Sequence, residues 1–497
     1  MQFAEQSEPP ARPPRVLILG AGPAGLTAAY ELARRGVSSR VLELEDRAGG
    51  LSRTLEHNGY LFDIGGHRFF TKVSMVERIW REVLGPDLLE RPRLSRIYYK
   101  GRFFQYPLEV FDGISKLGLL EVLRCGFSYL HALLRPARPE TTFETWVSNR
   151  FGRRLFEIFF RSYTEKVWGM PCHKIGAEWA SQRIRGLSVQ ALLKSALRPQ
   201  PGGGARSLTR QFLYPRRGPG MMWTRMAALL EQRGCSMHFN TPVDRIEWDA
   251  TGIRAVTANG RRFAADQFIS SLPIRELIAR LDPAPPSWLL QAAGDFHYRD
   301  FITVAVILRG HHLFPDNWIY IHDPGVAVGR IQNYGNWSPE MVPQPDTSCL
   351  GLEYFCFDGD GLWQTGDSEL IARARRELAH LGLAPAEAFL DARVLRIRKA
   401  YPVYDESYRR GLEAIRRFLA MVPNLQLVGR NGMHRYNNQD HSMLTGILAA
   451  RNVLGAGFDL WELHRNSGHL EEGGQVSDEE IAALERTQPL TPAARPA

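Results

Sequence analysis

Apolar and polar positions along the chain fall into two alternating kinds of stretch. The run Val16-Leu-Ile-Leu19 is wholly apolar and too short for a helix, so it predicts a buried strand. A glycine turn follows, and in LTAAYELARRG beyond it Leu26, Ala29, Tyr30 and Ala33 recur at helical spacing until Gly36 stops the pattern. SSRVLELE (38–45) predicts the next strand, completing a βαβ unit. Near the other end, NLQLVGRNG (424–432) predicts a strand closing on glycine and HSMLTGILAARNVLG (441–455) a helix. Between about 105 and 200 the pattern is helical, and LGLLEVLRCGFSYLHALL (117–134) reads as a core or domain-packing helix rather than an interfacial one. Strand patterns return in SMHFN, VDRIEWD and IRAVTA after residue 235. A further set runs from 301 to 357: FITVAVILRG, NWIYIH, VGRIQNY and CLGLEYFCF.

The expected fold class is therefore α/β with α+β insertions: a Rossmann-like domain, a helical insertion and a mixed β-sheet domain. The boundaries expected are 15–100, 215–295 and 402–465 for the discontinuous Rossmann-like domain, 101–214 for the mainly helical insertion and 296–401 for the sheet domain. Residues 1–14 read as a disordered arm and 472–497 as a polar tail.

The turn Gly20-Ala-Gly22-Pro23-Ala24-Gly25 has the spacing G-x-G-x-x-G. Gly20 allows the tight turn, Gly22 lets a pyrophosphate approach the backbone, and Gly25 lets helix and strand pack closely. The helix opening at Pro23 and Ala24 offers free N–H groups and a partial positive charge to phosphate. Glu45 stands 25 residues after Gly20, at the end of the second predicted strand, where a carboxylate can accept both ribose hydroxyls. Further glycine pairs, Gly49-Gly50 before Leu51-Ser52 and Gly65-Gly66 before His67, imply that backbone approaches something large, such as the ribityl chain and isoalloxazine of FAD. A strand–glycine–helix at each end of the chain suits a flavin held between them, so the Rossmann-like domain is expected to be the FAD-binding domain and the mixed β-sheet domain the substrate domain.

Composition narrows the setting further. With 497 residues, 44 % apolar and 23 % charged, the chain is that of a soluble globular protein of about three structural units. Its 62 Lys+Arg against 53 Asp+Glu leave +9, which raises nucleic acid, anionic membranes and phosphorylated small molecules as partners. No nucleic-acid module is present and the basic residues do not line one helix, so nucleic acid drops out. Between Glu178 and Glu231 there is no acidic residue but there are nine cations, Arg183, Arg185, Lys194, Arg198, Arg206, Arg210, Arg216, Arg217 and Arg225. These could steer an anionic substrate or simply form a solvated basic face. Five scattered cysteines without a C-x-x-C pair favour a reducing compartment, and no run is apolar enough to span a bilayer. A cytoplasmic protein without a metal site is expected.

Several motifs, in order, carry a family resemblance. They are Gly65-Gly66-His67, Tyr106-Pro107, Lys166-Val167-Trp168 through Trp179 and Arg183, Tyr214-Pro215, and Gly218 to Trp223. They continue with Trp318-Ile-Tyr320, Arg330 through Asn333-Tyr334, Tyr401-Pro402, Gly429-Arg430 through Tyr436, and Asn438-Gln439-Asp440-His441-Ser442. Over about residues 15 to 460 the chain resembles the UDP-galactopyranose mutases, especially their eukaryotic-type branch. These lie within the wider protoporphyrinogen oxidase and amine oxidase flavoprotein superfamily.

The resemblance implies that Arg183 and Arg330 clamp a sugar-nucleotide diphosphate, a role suited to a permanently charged bidentate fork. It implies that Tyr320, Tyr334, Tyr401 and Tyr436 grip the same diphosphate, with Tyr106, Trp168, Trp318 and Asn438 also on the substrate side and Arg430 in the sugar pocket. His67 would lie beside the isoalloxazine. The cofactor set is completed by Pro23, Ala24, Leu51, Ser52, Val243, Gly429, Arg430, Asn438, Gln439 and Ser442. The implied activity is a pyranose–furanose mutase acting through a flavin N5–sugar adduct, with reduced FAD and NAD(P)H as a candidate reductant. The alternative is an FAD-dependent oxidoreductase of the protoporphyrinogen oxidase or amine oxidase type, for which the 117–134 helix would offer a peripheral membrane contact. Self-association stays open. After Tyr106-Pro107 the chain continues Leu108-Glu109, where the family tends to carry an aromatic residue and amides for uracil.

Overall fold

The computed structural model describes residues 13–106, 110–177, 211–311 and 313–463. The apolar run Val16–Leu19 is the middle strand of a five-stranded parallel sheet, ordered Leu425–Leu427, Gln267–Ser270, Val16–Leu19, Ser39–Leu42, Ser236–His238. Both faces of this middle strand are covered, which is why it reads as an unbroken apolar run. Among the helices that border the site are α1 (Pro23–Arg34), α2 (Leu119–Leu134), α3 (Phe143–Phe151) and α4 (Gln439–Val453). Two glycines make the close packing possible. A Cβ on Gly25 would fall 1.9 Å from the carbonyl oxygen of Gly20, and one on Gly446 of α4 would fall 2.2 Å from that of Ala24 on α1. The two ends of the chain thus meet over one glycine turn.

A seven-stranded sheet forms the second layer, ordered Phe389–Pro402, Tyr298–Arg309, Thr347–Cys356, Arg330–Asn333, Trp318–Ile321, Ser95–Tyr99, Arg102–Gln105. The last two strands correct the expected boundary at residue 100. Ser95–Tyr99 pairs in parallel with Trp318–Ile321, so these residues belong to the substrate-side sheet. The far boundary shifts too, because Gln211–Pro215 is a strand paired antiparallel to Leu88–Pro92 rather than the end of a helical insertion. Described helices occupy most of 110–168, where α2 meets the chain just past the end of α3 so closely that a Cβ on Gly152 would lie 2.8 Å from the backbone nitrogen of Tyr129.

Helix α2 itself differs from expectation. Only Cys125 and Ala132 of its side chains are buried, and its large apolar residues face outward, so it is not a core helix. The expected tail and nearly all of the expected arm lie outside the described residues. Among the described residues, no helix is long and apolar enough to cross a membrane.

Candidate active site

A cavity of about 1350 Å³ runs from the glycine turn of the parallel sheet, along one end of the seven-stranded sheet, to α2. Its first section is a cradle of backbone. Gly20, Gly22, Pro23 and Ala24 line one side, and Gly50, Leu51 and Ser52 another; Val243, Gly429, Gln439 and Ser442 complete it. The two glycine loops touch, since a Cβ on Gly50 would come 3.2 Å from the Cα of Gly22. Gly25 lies beneath, in the helix–strand contact described above.

The acid at the strand end is Glu43, not Glu45. The second strand stops at Leu42, three residues earlier than expected, and Glu43 follows it directly. Its buried carboxylate accepts the backbone N–H of Ala21 at 2.6 Å and that of Glu45 at 2.9 Å, and burial raises its pKa. Glu45 points outward to Arg53, 3.1 Å away. Glu43 stands 23 residues after Gly20 and Glu45 stands 25, spacings that fit the motif about equally, and only the strand's end separates them.

The middle of the cavity is formed by Gly65, Gly66 and His67. The Nδ1 of His67 lies 3.0 Å from the carbonyl oxygen of Gly65, which can only accept, so that nitrogen carries the proton and Nε2 is an acceptor. Burial, then Arg430 and Arg330, hold the imidazole down to about 3, so it is neutral at physiological pH.

Beyond His67 an anion pocket is built on the seven-stranded sheet. Arg330, at the start of its strand, places Nε 2.8 Å from Glu353 on the neighbouring strand, whose other oxygen accepts from Gln332 at 2.9 Å. Glu353 is wholly buried, and although burial opposes the charge on Arg330, this carboxylate holds its pKa well above the ordinary value. Tyr401 and Tyr436 stack with centroids 5.4 Å apart, and the Arg430 guanidinium lies 4.9 Å from the Tyr436 ring. Arg430 is fixed by the carbonyls of Asn437 and Ala400. Tyr320 lies across the pocket, 4.8 Å from Tyr106 and 5.4 Å from Tyr163. Trp168 and Trp318 are nearly buried but each shows an edge to the cavity, and Asn438 caps α4 at its rim.

Tyr334 is the residue that the structure removes from this set. Its ring is 1 % exposed in the core between the sheets, and its hydroxyl donates to the carbonyl of Asp63 at 2.8 Å, so it does not reach the cavity. We expect Tyr334→Phe to cost about 1 kcal/mol in urea unfolding and to leave UDP affinity, followed by flavin fluorescence, unchanged. Arg183 and Trp179 lie outside the described residues, as do Leu108, Glu109 and six of the nine clustered cations. Of the remaining three, Arg216 and Arg225 are held by Asp87, with Glu340 also on Arg216, so their charge is not turned to the cavity.

Sequence reasoning missed Glu43, Glu353 and Tyr163. A charged residue within the apolar run CLGLEYFCF was a signal for Glu353, since an acid buried in a strand needs a partner. Tyr163, stacked on His322 at 4.9 Å, carried no such mark.

The geometry fits a flavin dinucleotide. The glycine cradle is long, and two buried polar atoms on its wall, Asn437 Nδ2 and Gln439 Oε1, have no hydrogen-bond partner among the described residues. The cavity is continuous from this cradle to the anion pocket, an arrangement that defines a dinucleotide-binding enzyme working beside its cofactor. The chain belongs to the flavin-containing amine oxidoreductase family, which residues 23–454 match. This supports a flavoenzyme with FAD.

The structure is similar to that of a reduced UDP-galactopyranose mutase, with a TM-score of 0.79 and 25 % identity, covering 90 % of this chain and 97 % of that one. In sequence it is 29 % identical over 175 residues to a chloroplastic protoporphyrinogen oxidase of Nicotiana tabacum, covering 34 % of this chain and 31 % of the relative. It is 25 % identical over 171 residues to a probable UDP-galactopyranose mutase of Klebsiella pneumoniae, covering 33 % and 43 %. The matched stretches thus span about a third to two fifths of these relatives' length.

Proposed function

We propose that the protein is an FAD-dependent pyranose–furanose mutase acting on a nucleotide-diphosphate sugar. The observation that carries this reading is the anion pocket beside the cofactor cradle: Arg330 fixed on Glu353, with the stacked Tyr401 and Tyr436 under Arg430. When bound and reduced, FAD supplies a nucleophilic nitrogen for the anomeric carbon of the sugar. The chain's own residues position and stabilise charge. Arg330, with Tyr320, Tyr401 and Tyr436, holds the diphosphate as it leaves and keeps it ready to return. Neutral His67 offers an acceptor at Nε2 and adds no charge next to the sugar. Glu43, in the place expected of Glu45, accepts the ribose hydroxyls of FAD, and Gly20, Gly22 and the start of α1 receive its pyrophosphate. NAD(P)H would serve as the reductant. The test is to reduce the holoenzyme with dithionite, add UDP-galactopyranose and cyanoborohydride, and look for a sugar–flavin product by mass spectrometry. Absence of that product would remove the reading for this substrate.

A second reading, an oxidoreductase taking hydride from an apolar or amine substrate, is favoured by one feature. The arm of the cavity toward α2 is walled by Leu117, Val122, Phe151, Leu155, Phe159 and Phe160, which suit hydrocarbon better than a nucleotide base. Stopped-flow oxidation of the reduced flavin by oxygen separates the two. Turnover-rate reoxidation coupled to an apolar amine or porphyrinogen would favour the oxidoreductase.

A further inference from the structure

Helix α2 presents an apolar face with nothing described against it. Leu119, Leu120, Leu123, Phe127, Leu130 and Leu134 are between 50 and 81 % exposed. Their spacing places them on one side of a helix about 24 Å long. Single exposed leucines are ordinary, but a continuous stripe of this length is the mark of an interaction surface.

The charges around the stripe decide what it meets. Glu121, the helix's only acid, is engaged by Arg154 and lies 3.5 Å from Arg124. Arg124, His131, Arg135 and Arg138 are exposed along the same helix and just beyond its end. An apolar face with an arginine rim suits the boundary between acyl chains and anionic headgroups. A second copy of the chain would instead bring two basic rims together. The helix also has an inner side that belongs to the enzyme: Val122, Cys125 and Tyr129 line the cavity, and exposed Leu130 lines its edge, so the apolar arm reaches the surface at this helix.

We infer that α2 seats the protein on an anionic phospholipid surface, with its apolar face in the acyl boundary and Arg124, Arg135 and Arg138 at headgroup level. The apolar arm of the cavity then abuts the membrane. This seat is independent of whether the chemistry is isomerisation or oxidation.

The FAD-loaded full chain should co-sediment with vesicles of phosphatidylcholine containing phosphatidylglycerol, less with phosphatidylcholine alone, and less at high salt. Leu123→Glu together with Phe127→Glu should weaken binding at least about tenfold. Neither side chain lines the cavity, so flavin absorbance and thermal midpoint should stay as in the wild type. Replacing Arg124, Arg135 and Arg138 by Gln should remove the preference for phosphatidylglycerol. Wild-type protein remaining in the supernatant with both vesicles would overturn the inference, as would equal binding by the double variant. A wild-type dimer that the double variant splits would assign the face to a second copy and overturn it too.

Discussion

Arg330→Ala will weaken both the fold and the capture of diphosphate. Glu353 is fully buried, and Arg330 is its only cationic partner among the described residues, with Gln332 on its other oxygen. Removing the guanidinium leaves a buried carboxylate without a counter-charge, a loss of about 3–5 kcal/mol. The same change removes the charge-assisted bonds proposed for the diphosphate, which should raise the dissociation constant for UDP about 10- to 100-fold. The two effects separate through the partner. Glu353→Gln keeps the shape and an acceptor for Gln332 but leaves the Arg330 charge unshared, so UDP should bind more tightly than in the wild type. The double variant Arg330→Ala with Glu353→Gln should recover most of the stability and none of the affinity. Urea unfolding and a flavin-fluorescence titration with UDP read the two quantities. Wild-type UDP affinity in a folded Arg330→Ala protein would refute the clamp.

How much of this was legible beforehand follows from what each feature depends on. The glycine turn and its flanking strand and helix are local, so their periodicity and spacing placed Val16–Leu19 and α1 to within a residue or two. Tyr298–Arg309 and Thr347–Cys356 were legible because each is a long, largely apolar run. Ser95–Tyr99 was not, since its pairing with Trp318–Ile321 joins segments more than 200 residues apart and leaves no local sign. Glu43 and Glu45 could not be distinguished because both lie in an alternating run, and only the backbone turn after Leu42 decides which is buried. Tyr334 misled for a similar reason: its motif placed it next to Arg330, but a strand-to-helix change at Asn333 turns its ring into the core. The apolar face of α2 was visible as a pattern, whereas whether something covers it is a tertiary fact.

Acid will destabilise the folded protein at pH values where most of its carboxylates are still ionised. Burial is the main cause that holds three imidazoles low: His67 and His322 to about 3 and His434 to about 4. In the unfolded chain each titrates at about 6.5. A depressed histidine makes the unfolded state the one that takes up protons, so stability is lost as the pH falls below about 6.5. The opposing group is Asp63, which burial pushes up to about 7 against the bonds from Tyr214 and Thr54, and Glu43 and Asp300 are raised as well. These carboxyls hold protons in the folded state that the unfolded chain releases, which favours the fold as the pH drops. Three histidines against them leave a net uptake of about one to two protons on unfolding, or roughly 1.4–2.7 kcal/mol lost per pH unit between pH 6 and 4.5. His322 is 4 % exposed and its ring lies parallel to Tyr163, so phenylalanine can keep the stack without a titrating group. His322→Phe should therefore flatten the slope of unfolding free energy against pH by about 1.4 kcal/mol per unit, whatever it does to stability at pH 7.5. Urea unfolding at fixed free FAD across that window measures the slope, and an unchanged slope would mean that His322 is protonated in the folded protein.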